Sequence, residues 1–155
     1  MSRITESEAE TFFRDVDQAS QKAVWCAVAT VTENEPRVRI VHPTWEGRTL
    51  WFATGTDSPK HVQLVKNPNV DLHYQVAPPD FVHVTVRGQA EIVTDSEEKK
   101  RVWDVIDYDL SAFWPGGPEA DGFTLVKVVP SRVELSKMFG SMEKRVWRSG
   151  PTEKS

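Results

Sequence analysis

The chain has 155 residues, 39% of them hydrophobic and 27% charged, with a formal net charge of −4. That length supports one domain with a proper core and is too short for two. No run of about twenty apolar residues exists to span a membrane, and the mild acidity argues against nucleic acid or an anionic membrane as the main partner.

A lone cysteine, Cys26, excludes an intrachain disulfide and a cysteine-cluster metal site. Met1 to Glu6 turns acidic without the apolar stretch of a signal peptide, so the expectation is a cytoplasmic protein. We expect a single domain over residues 1–148 and a polar tail over 149–155. Six tryptophans are more than a small core needs and point to a flat ligand or a subunit interface.

Thr5-Glu6-Ser7-Glu8 has capping-box spacing, and Phe12, Phe13 and Val16 follow at helical intervals, which predicts a helix over 5–20. Residues 23–31 are almost wholly apolar and predict a strand covered on both faces. After a turn at 32–36, the next strand alternates, placing Arg37 and Arg39 on one face and Val38 and Ile40 on the other. Two guanidinium groups side by side repel unless an anion or a carboxylate sits between them. A solvated outer face with acidic neighbours is the alternative.

Residues 45–48 predict a hairpin turn and 49–54 a third strand. Asp57 then leads into Ser58-Pro59-Lys60, in which Ser58 caps a helix and Pro59 occupies its first position. Lys60 stands in the first turn, where free N–H groups and the helix dipole favour an anion. A plain Ser-Pro helix cap with a solvated lysine is the competing interpretation. The helix runs to Lys66 and ends at Asn67-Pro68, and residues 69–75 predict a fourth strand.

Residues 81–93 predict a long fifth strand whose central Gly88 marks a bulge of the kind a closing barrel needs. Thr94 to Glu97 opens another helix with Val102, Trp103 and Ile106 toward the core. An aromatic loop, Phe113-Trp114-Pro115-Gly116-Gly117-Pro118, precedes a sixth strand at 123–129. Pro130 interrupts it, and 132–137 predicts a seventh. The expected fold is mainly β with flanking helices (α+β), a six- to seven-stranded antiparallel split β-barrel.

No nucleophile elbow or glycine-rich phosphate loop is present. His42, His61, His73 and His83 lack metal-ligand spacing, so no metal is expected. The carboxylates do not form an obvious acid–base pair. What remains is an anion-binding set: two arginines on one strand, another strand, then Ser-Pro-Lys.

In this order the residues resemble a known family. Arg37-Val38-Arg39, Thr49 to Thr54, Ser58-Pro59-Lys60, Asn67 to Leu72 and Val86 to Glu91 are similar to the flavin-binding split barrel of the pyridoxamine 5′-phosphate oxidase-like superfamily, most closely its short general stress protein branch. The 113–118 loop and Lys127 to Glu134 are also typical of that branch.

The resemblance implies FMN at a homodimer interface. Arg37 or Arg39, Lys60 and Ser58 would hold the phosphate, and Ala53 and Thr54 would meet the isoalloxazine edge. His83 stands where oxidases of the family tend to carry a glutamine near the flavin. Trp114 would border the ring, or else merely close the barrel end. A deazaflavin or haem is the alternative occupant.

The implied activity is a flavin-dependent oxidoreductase with a general stress role and an undisclosed substrate; the alternative is a non-catalytic flavin binder or sensor. The chain lacks the Arg-x-His segment with which the full oxidases hold their vitamin substrate, so pyridoxamine phosphate oxidation is not expected. The physical logic agrees: a phosphate is best held by cations and free N–H groups, while the redox chemistry belongs to the flavin.

Overall fold

The structure, a computed structural model, describes residues 4–57 and 59–150, without the side chains of Pro59, Lys60 and Val62. Helix α1 (Glu6–Ala23) is capped by Thr5, whose hydroxyl accepts from Glu8 N while the Glu8 carboxylate accepts from Thr5 N. The cap contributes about 1 kcal/mol. Phe12, Phe13 and Val16, all buried, each contribute about 2 kcal/mol. Packing therefore outweighs capping in holding α1 on the sheet.

Strands β1 (Cys26–Thr32) and β2 (Glu35–Val41) form a hairpin through Glu33 and Asn34, at φ of 50° and 65°. Both central residues being left-handed is the tight-turn geometry that matches sheet twist, and asparagine tolerates it well. A short strand β3 (Thr44–Glu46) then pairs with β4 (Thr49–Gly55), so the expected hairpin turn carries an extra strand on its leading side. Helix α2 (Pro59–Lys66) follows, then β5 (Asn69–Val76) and β6 (Val82–Val93).

Beyond α3 (Ser96–Trp103) and two 3₁₀ turns come β7 (Phe123–Lys137) and β8 (Met142–Arg148). The cap of α3 is Asp95, one residue inside the expected box, because its carboxylate accepts from Glu98 N. The sheet has eight antiparallel strands in the order β2-β1-β5-β6-β7-β4-β3, with β8 added to β7. β2 and β4 touch without forming a ladder, which leaves the barrel split there.

The two strands expected at 123–129 and 132–137 are one. Pro130 does not end it, because the β6–β7 register shifts between Arg87 and Gly88, and Ser131 Oγ donates to Arg87 O across the irregularity. A proline is tolerated where the ladder already skips a residue. The bulge expected at Gly88 is present. A Cβ there would lie 2.4 Å from Val129 O.

The core inside the barrel joins Val28, Leu50, Phe52, Leu72, Val84, Val86 and Val133 to α1. A second cluster, around Trp51, Val102, Leu110, Phe123 and Leu125, fills the space between the outer side of β4 and α3. Val102 and Ile106 are buried and Trp103 is half-buried, as their spacing predicts. Among the described residues no helix is long and apolar enough to cross a membrane.

Candidate functional site

Register decides which way the two arginines point. Arg37 lies opposite Thr30 and Arg39 opposite Val28, and both of those β1 residues are wholly buried. Directly opposed residues share a face. Arg37 and Arg39 therefore rise from the inner face of β2, where it borders the split, and not from a solvated outer face. Val38 and Ile40 take the outer face and are exposed.

The two arginines differ in company. Arg37 Nη1 donates to Pro36 O at 2.9 Å, and Nη2 lies 3.4 Å from Glu35 Oε2. Arg39 is half-buried and has no ion-pair partner among the described residues. A guanidinium withdrawn from water without a carboxylate is a site that favours an anion.

Across the split, the β3–β4 ladder ends at the pair Thr44 and Trp51, so beyond Trp51 β4 is laddered to β7 alone. On the other side β2 is laddered only to β1. Two strand borders thus meet without pairing, and α2 begins immediately past the end of β4. Thr54 is buried on the inner face with Phe52, whereas Ala53 is half-buried on the opposite side with the second cluster.

Polar side chains that local sequence patterns did not single out fix this corner. Thr30 Oγ1 donates to Gln63 Oε1 at 2.7 Å in a buried contact, tying α2 to the strand opposite Arg37. Thr56 Oγ1 lies 2.9 Å from Thr124 Oγ1, which is 3.3 Å from His61 Nδ1. Thr56 N and Trp114 Nε1 both donate to Gly122 O at 2.9 Å. The only sequence signal for these positions was a hydroxyl in an otherwise apolar strand and a glutamine on the inward side of a short helix.

That shared carbonyl sets Trp114 beside the β4–α2 turn. Its indole packs edge-on against Phe123, with centroids 5.2 Å apart, and closes the second cluster within one chain. Ser58 lies outside the described residues, as does the side chain of Lys60, so their expected phosphate contacts rest on sequence.

His83 is not brought to this corner within a chain. It lies on the outer face of β6, the sheet order placing β1 and β5 between its strand and β2. There His83 Nδ1 is 3.0 Å from His73 Nε2, the rings are stacked at 5.3 Å, and Phe139 borders them. Partial burial, and then the neighbouring His83, hold the His73 imidazole below its ordinary value. Among the described residues no group of three or more His, Cys, Asp or Glu is disposed to hold a metal ion.

The donor set fits a phosphorylated, flat cofactor: cationic side chains on the inner face, polar groups at the helix start, and strand borders with backbone groups beside an aromatic cluster. Such a cofactor, when bound, supplies the redox chemistry. The part left to the described residues would be to hold and orient it.

The family model described as pyridoxamine 5′-phosphate oxidase matches residues 12–137. No curated protein sequence matches the chain. Among solved structures, a Clostridium acetobutylicum protein related to general stress protein 26 of Bacillus subtilis has a TM-score of 0.73 at 18% identity, covering 90% of this chain and 95% of its own. General stress protein 26 from Bacillus anthracis has a TM-score of 0.66 at 21% identity, over 86% and 98%. A pyridoxamine 5′-phosphate oxidase-related FMN-binding protein from Nostoc punctiforme has a TM-score of 0.63 at 17% identity, over 97% and 100%.

Proposed function

Because the chain belongs to the pyridoxamine 5′-phosphate oxidase family, we propose that it binds FMN at the split between β2 and β4 and acts, as a cytoplasmic homodimer, as a flavin-dependent oxidoreductase with a general stress role. The observation that carries this reading is the inward pair Arg37 and Arg39, with Arg39 half-buried and without an ion-pair partner among the described residues. In this reading the guanidinium groups and Lys60 receive the phosphate, Ser58 and the α2 start add hydrogen-bond donors, and Ala53 and Thr54 border the ring. Trp114, held by Gly122 O, flanks the same turn. The outer face with His83 is turned toward the second copy.

The test compares FMN with riboflavin, which has the same ring and no phosphate. The purified chain is expected to bind FMN at least tenfold more tightly than riboflavin. Arg39→Ala and Lys60→Ala remove that preference, and Arg37→Ala weakens it. Equal affinity for the two flavins in the wild type, or a preference for a deazaflavin or haem, contradicts the reading. Reduction of bound FMN by NADH or NADPH supports the oxidoreductase. Tight FMN binding with inertness to both reductants turns the assignment to a non-catalytic flavin binder.

A further inference from the structure

On the outer face of the sheet the charged groups around His73 and His83 are already matched. Along β5 and β6 that face alternates with the buried Leu72, Tyr74, Val84 and Val86, so Asp71, His73 and Gln75 share it with His83, Thr85 and Arg87. Asp71 Oδ1 lies 3.7 Å from Arg87 Nε. On β7 the Glu134 carboxylate meets Arg132 at 3.0 Å, Ser136 at 3.2 Å and Lys144 at 3.8 Å. At the mouth of the β7–β8 turn Lys137 pairs with Glu143 at 3.2 Å, and near Phe81 Lys22 pairs with Asp80 at 3.5 Å. β1 places only Ala27 opposite His73, while Gln75 and Ser136 stand opposite His83. Cys26 and Tyr74 belong to the buried side. The two histidines are left to each other, His73 Nε2 3.0 Å from His83 Nδ1.

Apolar groups flank this pair. Phe139, 81% exposed, borders the His83 ring at 6.1 Å. Just past the end of the β6–β7 ladder, Met138 N donates to Phe81 O at 3.1 Å, and both side chains are exposed. Phe81, Met138 and Phe139 all hold left-handed backbone, at φ of 48°, 50° and 61°. Residues of this bulk pay for that conformation, and three together single out the segment as one with a role beyond the fold of one chain. On the far side of β1, Val38 and Ile40 are exposed on the same face. While the histidines are neutral, the charges beside them cancel, so an identical face approaches without repulsion.

One hydrogen bond between two imidazoles needs an N–H on one ring and a lone pair on the other. A neutral pair meets that need, and so does a pair holding one extra proton. A second extra proton sets N–H against N–H and two positive charges in contact, with no unmatched carboxylate facing them. Partial burial, and then His83, already hold His73 below its ordinary value of 6.5. Covering the pair removes more water and lowers it further. An imidazole held low in the covered state leaves association intact above its ordinary value and opposes it as pH falls below.

We propose that the second copy seats on this face and that protonation of the His73–His83 pair releases it. The proposal deepens the homodimer reading given above and rests on it.

The experiment is sedimentation of the purified full chain at about pH 7.5 and about pH 5.5, a window above the carboxylate range. The wild type is expected to be a dimer at the higher pH, with a dissociation constant at least tenfold larger at the lower. His73→Gln leaves a single imidazole beside a neutral amide, and its response is expected to fall below threefold. Phe139→Ser is expected to weaken the dimer at least tenfold at the higher pH without an earlier melt, because the ring is exposed in the single chain. A wild-type dimer equally tight at both pH values, or a His73→Gln variant with the wild-type response, overturns the switch while the homodimer stands. A dimer unaffected by Phe139→Ser overturns the seat. A wild type that is monomeric at the higher pH contradicts the homodimer itself, and the proposal falls with it.

Discussion

Gly88 stands where the fold leaves no room for a side chain. With Val129 O 2.4 Å and Pro130 Cα 2.9 Å from where a Cβ would sit, the neighbours are backbone and cannot rotate away. Gly88→Ala is expected to destabilise the protein by about 2–3 kcal/mol, read from the urea midpoint. Thr30 carries a different constraint. Its hydroxyl is the partner of the buried Gln63 amide, so Thr30→Val leaves that amide unsatisfied at a cost of about 1–3 kcal/mol. The same change loosens α2 against the strand opposite Arg37, and FMN affinity is expected to fall with stability. A variant with full FMN affinity contradicts that link. Of these two residues only Gly88 was legible in the sequence, because a glycine inside a strand announces a bulge by itself. The Thr30–Gln63 bond joins residues 33 apart, and neither local pattern points to the other.

Between elements, Glu46 is the bracket that ties β3 to α3. Arg101 Nη1 donates to its Oε2 at 2.7 Å, and Trp51 Nε1 to its Oε1 at 3.0 Å. The Arg101 hydrogen bond holds the Glu46 carboxyl below its ordinary value of 4.5, against a smaller opposing effect of burial and with help from Trp51. A carboxylate whose folded pKa is depressed contributes stability that is present above the unfolded pKa and lost as pH falls through the folded one. Glu46→Gln is therefore expected to flatten the loss of stability as pH is lowered below about 4.5, measured by denaturant melts at stepped pH. An unchanged acid slope contradicts the coupling.

β8 is the element that local patterning did not indicate. Its run of Glu143, Lys144 and Arg145 shows no apolar alternation, yet Trp147 reaches inward to pack edge-on against Phe13 at 4.9 Å. Arg48 lies over the same indole at 5.9 Å. Trp147→Ala is expected to cost about 2 kcal/mol for this half-buried ring, less than for a fully buried one. The β7 strand was split in two by Pro130 for a related reason. A proline ends a regular ladder, and only the partner strand reveals that the ladder already skips a residue there.

For the whole molecule, the fold class and the order of motifs were legible because hydrophobic alternation and turn residues are local. The site was legible only in outline. Arg37, Arg39 and Thr54 fall on inner faces at the split, while His83 lies on the outer face with His73. Which face a strand residue takes relative to the closed barrel depends on pairing that no single strand encodes.

The outer face also carries Val31, Val38 and Ile40 exposed beside one another on β1 and β2, with Trp25 at their end. Exposed apolar side chains in this density on an edge hairpin mark an association surface. In the proposed homodimer, Ile40→Glu is expected to shift the protein to monomer in sedimentation. A dimer unchanged by that substitution places the interface elsewhere.

The most direct measurement is the absorption spectrum of the chain purified without added cofactor, followed by identification of any chromophore released on denaturation. The account predicts a yellow protein that releases FMN in a ratio approaching one per chain, or an apo-protein that takes up FMN to that ratio and prefers it to riboflavin. A colourless protein that takes up neither, or one that releases haem or a deazaflavin, contradicts it.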